Sequence, residues 1–229
     1  MPSFELNRNL VPEQTRAVIA DWDDTIVGTI DAKVRQHIMV AAKHYGITLN
    51  RNEMLKDWGR PLHELIAKWY QIDPADEAAF QAVVATVLSY SHEFLKQPFP
   101  GAREALDAIK SESLPLGIVT GSPRNDIYHD FGVLEVDPSY FDYFQTSDDT
   151  LVHKPNPLVF APAVQWLENH GITPQETLYV GDTLNDMLAA RGVGFEFLGV
   201  ETSAVDMPTF YAADALSIRS LGDLIKQRA

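Results

Sequence analysis

The sequence predicts an α/β protein: a doubly wound parallel sheet interrupted, after its first strand, by an all-helical insert. Three observations carry this. From about residue 100 onward, short apolar runs alternate with helix-period segments, the pattern of parallel strands joined by covering helices. Between about residues 29 and 96 apolar residues recur at helical spacing. The first apolar run, Ala17-Val18-Ile19-Ala20, ends abruptly in Asp21-Trp22-Asp23-Asp24-Thr25, as when a buried strand delivers charge to an exposed end. In open α/β sheets the carboxyl ends of strands are where ligands bind.

Residues 1–15, with prolines at 2 and 12, read as an irregular surface lead-in, and the first strand runs from about Arg16 to Asp21. Val34, Ile38, Ala41, Ala42 and Tyr45 then form one helical face, closed by Gly46. Leu62, Leu65, Ile66 and Trp69 form a second. Asp73-Pro74 is expected to open a long helix, Asp as N-cap and Pro in the first turn, whose face is Phe80, Val83, Val84, Val87, Leu88, Phe94 and Leu95. Pro98-Phe99-Pro100-Gly101 breaks that pattern. Ala102, Ala105, Leu106 and Ile109 mark a helix, Leu116-Gly117-Ile118-Val119 a buried strand, and Ser122-Pro123 the start of a helix ending near Gly132. A strand at Tyr143–Thr146, a helix from Asn156-Pro157, a strand at Leu178–Val180, a helix over Leu184–Arg191 and a strand at Phe195–Val200 follow. Ala215–Ile218 and a helix from Leu221 finish the chain. The expected division is a core of residues 1–28 and 97–229 and an insert of 29–96, placed in sequence to act as a lid.

Composition narrows the function. The 229 residues are 45% hydrophobic, enough for a substantial core, and carry no cysteine, which excludes disulfides, thiolate nucleophiles and Cys-based zinc sites. A net charge of −14 lacks the basic footprint of a nucleic-acid binder. No apolar stretch reaches the length of a membrane span, and the first residues lack a basic start and apolar core, so a cytoplasmic protein, monomer or homodimer, is expected.

Four features fall at or beside strand ends: Asp21-x-Asp23-x-Thr25, Thr120-Gly121-Ser122, Lys154 in His153-Lys154-Pro155-Asn156-Pro157, and Gly181-Asp182-Thr183-Leu184-Asn185-Asp186. In a continuing strand Asp21 and Asp23 would share one face. Carboxylates about 4 Å apart repel by on the order of 4 kcal/mol at an effective dielectric near 20, so a cation or a proton must accompany them. A carboxylate can attack phosphorus and form an aspartyl-phosphate. A divalent cation, Mg²⁺ above all, would take oxygens from the first and fourth features. Thr120 and the free amides after Gly121 suit phosphate oxygens, and Lys154 supplies compact positive charge. Each feature also has a plain structural explanation: an Asp-rich turn, Ser122 or Asp182 as helix N-cap, Asp186 exposed on a helix, Lys154 a solvated surface lysine.

Taken together these motifs resemble the haloacid dehalogenase superfamily of phosphohydrolases. Within it they resemble the branch with a helical cap after the first motif, which includes phosphoglycolate phosphatases and β-phosphoglucomutases. Pro100-Gly101, Asp148-Asp149 and Ala189-Ala190-Arg191-Gly192-Val193 are similar to that branch as well. The resemblance implies a Rossmann-like core, Asp21 as nucleophile and Asp23 as general acid/base. It implies that Thr120, Gly121 and Lys154 hold the phosphoryl group. Asp21, the Asp23 carbonyl and Asp182 would bind Mg²⁺, with Asp186 supporting the metal. The position between Asp23 and Thr25 is often Gly in capped relatives and here is Asp24. Asp23 also sets the chain apart from the dehalogenases, which lack this second Asp.

Substrate choice is expected from the insert, with the turn Trp58-Gly59-Arg60-Pro61 as candidate and Arg60 either a substrate contact or a surface arginine. The expected activity is a Mg²⁺-dependent phosphatase of a small phosphorylated metabolite. A sugar-phosphate phosphomutase on the same scaffold and a non-catalytic phosphate- or metal-sensing protein are the alternatives.

Overall fold

A computed structural model describes residues 4–58, 60–135, 137–203 and 205–227. Gly59, in the turn singled out above, lies outside them. Strands β1 (Phe4–Leu6) and β2 (Ala17–Ala20) open the chain, followed by helices α1 (Thr29–Val40), α2 (Arg51–Asp57), α3 (Leu62–Tyr70) and α4 (Glu77–Ser89). Next come α5 (Ala102–Ser111), β3 (Leu116–Val119), α6 (Arg124–Leu134), β4 (Tyr143–Gln145), α7 (Ala161–Asn169), β5 (Thr177–Gly181) and α8 (Leu184–Gly192). β6 (Glu196–Val200), α9 (Met207–Ala212), β7 (Leu216–Ile218) and β8 (Ile225–Gln227) complete it. The chain divides into two compact units, Met1–Gly28 with Gln97–Ala229, and Thr29–Lys96.

In the first unit a parallel sheet has the order β4-β3-β2-β5-β6-β7. The chain builds outward from β2 through β3 to β4, then returns to the other side of β2 with β5. The order therefore reverses at β2, and a doubly wound sheet opens its ligand crevice at such a point. Strand alternation sorts the core. Val18, Ala20, Leu116, Ile118, Leu178 and Val180 pack on one face with Leu106 and Ile109 of α5 and Ile127 and Phe131 of α6. Ala17, Ile19, Val119 and Tyr179 pack on the other with Ala163 and Leu167 of α7, Met187 and Ala190 of α8, and Phe210 of α9. Both faces are buried, which is why these strands read as continuous apolar runs. The helical unit has its own core of Val34, Val40, Met54, Leu65, Ile66, Trp69, Tyr70, Val83 and Val87.

Several elements differ from expectation. The first residues are not a mere lead-in: β1 pairs antiparallel with β8, and Leu6 and Val11 are buried in the core. The expected C-terminal helix is instead a short 3-10 turn over Leu221–Leu224 leading into β8. Leu221, Leu224 and Ile225 have helical spacing, but pairing with β1 takes the last residues into a strand. α4 begins at Glu77, with the Asp76 side chain accepting from the Ala79 amide, rather than at Asp73-Pro74. It ends at Ser89, so Phe94 and Leu95 fall outside it. Leu62, at the first position of α3, is exposed, and so are Leu88 and Leu95.

Candidate active site

β2 ends at Ala20, and Asp21 follows on the same face as Ile19, with its amide donating to the Val180 carbonyl (2.8 Å) at the end of β5. That face also carries Tyr179, whose side chain points away from Val180. Lys154, from the loop after β4, reaches into this corner. Its Nζ lies 2.7 Å from Asp186 Oδ1 and 3.1 Å from Asp21 Oδ1, and it donates to the Tyr179 hydroxyl at 2.6 Å. The Lys154 side chain is 12% exposed, and the reading of a solvated surface lysine does not hold. The contact to Asp21 is close but out of line for a hydrogen bond, and Asp21 Oδ1, buried, accepts none.

Asp182 follows β5, and Asp186 sits on the first turn of α8. One carboxylate oxygen from each of Asp21, Asp182 and Asp186 lies within 4.8 Å of the others. The helix N-cap is Thr183, not Asp182. Thr183 and Asp186 form a reciprocal capping box in which the Thr183 amide (3.0 Å) and hydroxyl both donate to Asp186 Oδ2. Asp186 is thereby buried at 1% exposure, which does not fit the plain alternative of an exposed helix position. Gly181 is required beside it: a Cβ there would lie 2.6 Å from the Asp186 Cβ. The Thr25 hydroxyl donates to Asp182 Oδ1 at 3.3 Å, and the Ser203 hydroxyl to the Asp182 carbonyl at 3.0 Å.

The electrostatics follow from this crowding. Burial raises the proton affinity of Asp21 well above the usual carboxylate range. Lys154 opposes this, and Asp186, Asp182 and Asp23 add to it. Asp182 is pushed up to about 7 by burial and then by Asp186. Burial disfavours the Lys154 ammonium, but Asp186 and Asp21 more than offset it and hold the group charged. Three carboxylates against one ammonium leave an excess of negative charge, and every donor is oxygen. Together with the unsatisfied Oδ1 of Asp21, that is a set suited to a hard divalent cation.

Asp23 has different partners. The strand does not continue past Ala20, and Asp23 forms an isolated bridge with Val27. Its Oδ2 accepts a short hydrogen bond from the Ser122 hydroxyl and a long one, 3.5 Å, from Thr120. Asp24 has a φ of 53°, in the left-handed region that favours glycine. The Thr202 hydroxyl donates to its carbonyl.

Asp21, Thr120, Gly121, Lys154 and Asp186 line one cavity of roughly 320 Å³, with Asn185 and His153 also on its wall. Arg60 belongs to the helical unit, is exposed, and lies 4.0 Å from Glu64. Sequence reasoning missed Tyr179, Thr183 and Ser122 as functional partners. Thr183 carried a signal, since Thr-x-x-Asp before an apolar run is close to a capping-box pattern. Tyr179 carried a fainter one, a hydroxyl inside an otherwise apolar strand.

The chain resembles known proteins over most of its length. The Clostridium perfringens protein provisionally named pyrophosphatase PpaX is 27% identical over 216 residues, covering 90% of this chain and 96% of that one. Phosphoglycolate phosphatase of Yersinia pseudotuberculosis is 28% identical over 192 residues, 81% of this chain and 80% of that one. The crystal structure of a Thermotoga maritima protein provisionally described as a β-phosphoglucomutase superposes with a TM-score of 0.76, at 23% identity, over 92% of this chain and 96% of that one. The family profile for haloacid dehalogenase-like hydrolases matches residues 18–200, from β2 to the end of β6. That span holds all four strand-end features, and the chain belongs to the haloacid dehalogenase-like hydrolase family.

Proposed function

We propose that the chain is a Mg²⁺-dependent phosphatase that hydrolyses a small phosphorylated metabolite through an aspartyl-phosphate on Asp21. The observation that carries this is the buried oxygen of Asp21, unsatisfied by any hydrogen-bond donor, within a cluster of carboxylates beside one ammonium. Mg²⁺ would be held by Asp21, Asp182 and the Asp23 carbonyl with Asp186 in support, and when bound it offsets charge on the phosphoryl oxygens.

Asp21 attacks phosphorus, the bond to the leaving oxygen breaks with its electron pair, and Asp23 gives that oxygen a proton. Asp23 then takes a proton from water, whose oxygen attacks the phosphorus and releases phosphate from Asp21. Lys154, held by Asp186 and Tyr179, keeps Asp21 oriented and lowers the repulsion between a carboxylate nucleophile and an anionic substrate. Thr120, Gly121 and Lys154 receive the phosphoryl oxygens; the amides at the start of α6 are already engaged, that of Ser122 by Thr120 and that of Arg124 by Asp148, and Pro123 has none. We assign substrate choice to the helical unit 29–96, with Arg60 as its first residue to test.

The test is phosphate release from an aryl phosphate and a metabolite panel, with Mg²⁺, with chelator, and by Asp21→Asn. Pyrophosphate and phosphoglycolate head the panel because relatives are named for them. Metal-dependent release that disappears in Asp21→Asn is the expected result. Full activity in that variant refutes the nucleophile, and interconversion of sugar phosphates without phosphate release would favour a mutase.

A further inference from the structure

Tyr179 places a hydroxyl inside the sheet, between Leu178 and Val180 of β5. In the sheet register it lies between Ile19 of β2 and Phe197 of β6. It is 0% exposed, and its ring packs edge-on against Phe160 with centroids 4.8 Å apart. A ring packed this closely fixes where its hydroxyl lies. A buried tyrosine hydroxyl also needs a partner, and the partners here belong to the candidate site. The hydroxyl accepts from Lys154 Nζ at 2.6 Å, and its own proton faces the Val119 carbonyl at 3.2 Å and Asp186 Oδ1 at 3.3 Å. Val119 ends β3 immediately before Thr120, and Asp186 belongs to α8. One hydroxyl thus joins the lysine loop to β3 and α8.

Lys154 has need of such a partner. A lysine ammonium is a point charge on a flexible stem, and this one stands between two carboxylates, Asp186 at 2.7 Å and Asp21 at 3.1 Å. Their attraction does not choose a direction, and Asp21 Oδ1 has no hydrogen-bond donor that would keep the ammonium from closing on it. A neutral hydroxyl adds a directional bond and no charge. We propose that Tyr179 is a positioning residue for the reaction proposed above: its hydroxyl holds the Lys154 ammonium back from Asp21 Oδ1 and keeps it on the cavity wall, where it meets a phosphoryl oxygen. Lys154 lines that cavity with Asp21, Thr120 and Gly121. Tyr179 keeps its proton, acts through Lys154 and touches no reacting atom. Since the ammonium serves the phosphoryl group, the effect of Tyr179 is the same whatever the leaving group.

The test pairs a rate with a direct view of the ammonium, and it rests on the phosphatase reading. Tyr179→Phe removes only the hydroxyl, since the ring, whose centroid is 5.2 Å from Lys154 Nζ, stays. With Mg²⁺ present, kcat/KM for nitrophenyl and alkyl phosphates is expected to fall about 10- to 100-fold on both alike, the scale of one hydrogen bond to a charged group. The second readout is the Lys154 Nζ resonance in the isotope-labelled full chain, assigned by its loss in Lys154→Arg. In wild type its protons should exchange slowly with water and cross-relax with the Tyr179 ring protons. In Tyr179→Phe the signal should broaden or vanish while the backbone amide spectrum stays that of the folded chain. A tyrosine that only fills space would leave it unchanged. An unchanged ammonium resonance in Tyr179→Phe, or kcat/KM equal to that of wild type, overturns the positioning role and leaves the phosphatase reading intact. So does a wild-type ammonium without contact to the Tyr179 ring, a result that needs no variant to fold. Wild type inactive on every ester, or Asp21→Asn fully active, overturns both.

Discussion

Lowering the pH should destabilise the helical unit through one residue, His37. Its ring is 6% exposed, its Nδ1 lies 2.9 Å from the Tyr70 hydroxyl, and it packs edge-on against Trp69 with ring centroids 5.2 Å apart. Burial, with a smaller contribution from the Lys33 charge, lowers its pKa from 6.5 to about 4. Above pH 6.5 the ring is neutral folded and unfolded, and titration contributes nothing. As pH falls below 6.5 the unfolded chain takes up a proton that the folded one refuses, so stability is lost progressively until about pH 4. The span from 6.5 to about 4, at about 1.36 kcal/mol per pH unit, amounts to about 3 kcal/mol. Acidification also protonates Asp182, whose pKa is raised to about 7, and that works the other way, since there the folded state binds the proton more tightly. The measurement is therefore the difference between wild type and His37→Gln. Urea unfolding of the full chain would be followed at the Trp69 indole N–H resonance, whose proton is donated to Asp57. Wild type should lose about 3 kcal/mol relative to His37→Gln between pH 7 and 4. Parallel pH profiles, or a His37 ring titrating near 6.5 in the folded protein, would refute the reasoning.

Two further outcomes follow from the site. Mg²⁺ should raise the melting temperature at neutral pH, by an amount equivalent to about 2.7 kcal/mol at a hundredfold excess over Kd, and Asp182→Asn should abolish the shift while chelator reverses it. A shift of unchanged size in Asp182→Asn would remove that residue from the metal set. Gly181→Ala should cost about 1–3 kcal/mol in chemical denaturation, because its Cβ would meet Asp186 at 2.6 Å, and the displaced carboxylate should weaken the Mg²⁺-induced shift as well. An unperturbed variant would mean that Asp186 moves aside freely.

The parallel sheet was legible because strands buried on both faces leave continuous apolar runs, and the polar residues at their ends stand out against them. Asp21, Lys154, Asp182 and Asp186 could be read as neighbours in this way, since each follows a strand or begins the helix after one. The short antiparallel pair of β1 and β8 could not. Three residues per strand, joined across more than two hundred positions of chain, give no period to detect. Helix starts shifted for a related reason: Asp73 and Asp76 offer similar capping chemistry, and which one begins α4 depends on where the helix must pack.

The different partners of Asp21 and Asp23 are the most instructive difference. Spacing by two implies a shared face only while the chain stays extended, and β2 ends at Ala20, before either residue. One carboxylate is then delivered to an ammonium and the other to a serine hydroxyl 99 residues away. Two identical side chains thereby meet different neighbours: Asp21 lies beside the Lys154 ammonium, while Asp23 accepts from the Ser122 and Thr120 hydroxyls. The roles we propose for them, nucleophile and acid, follow those partners, which spacing in the sequence does not disclose.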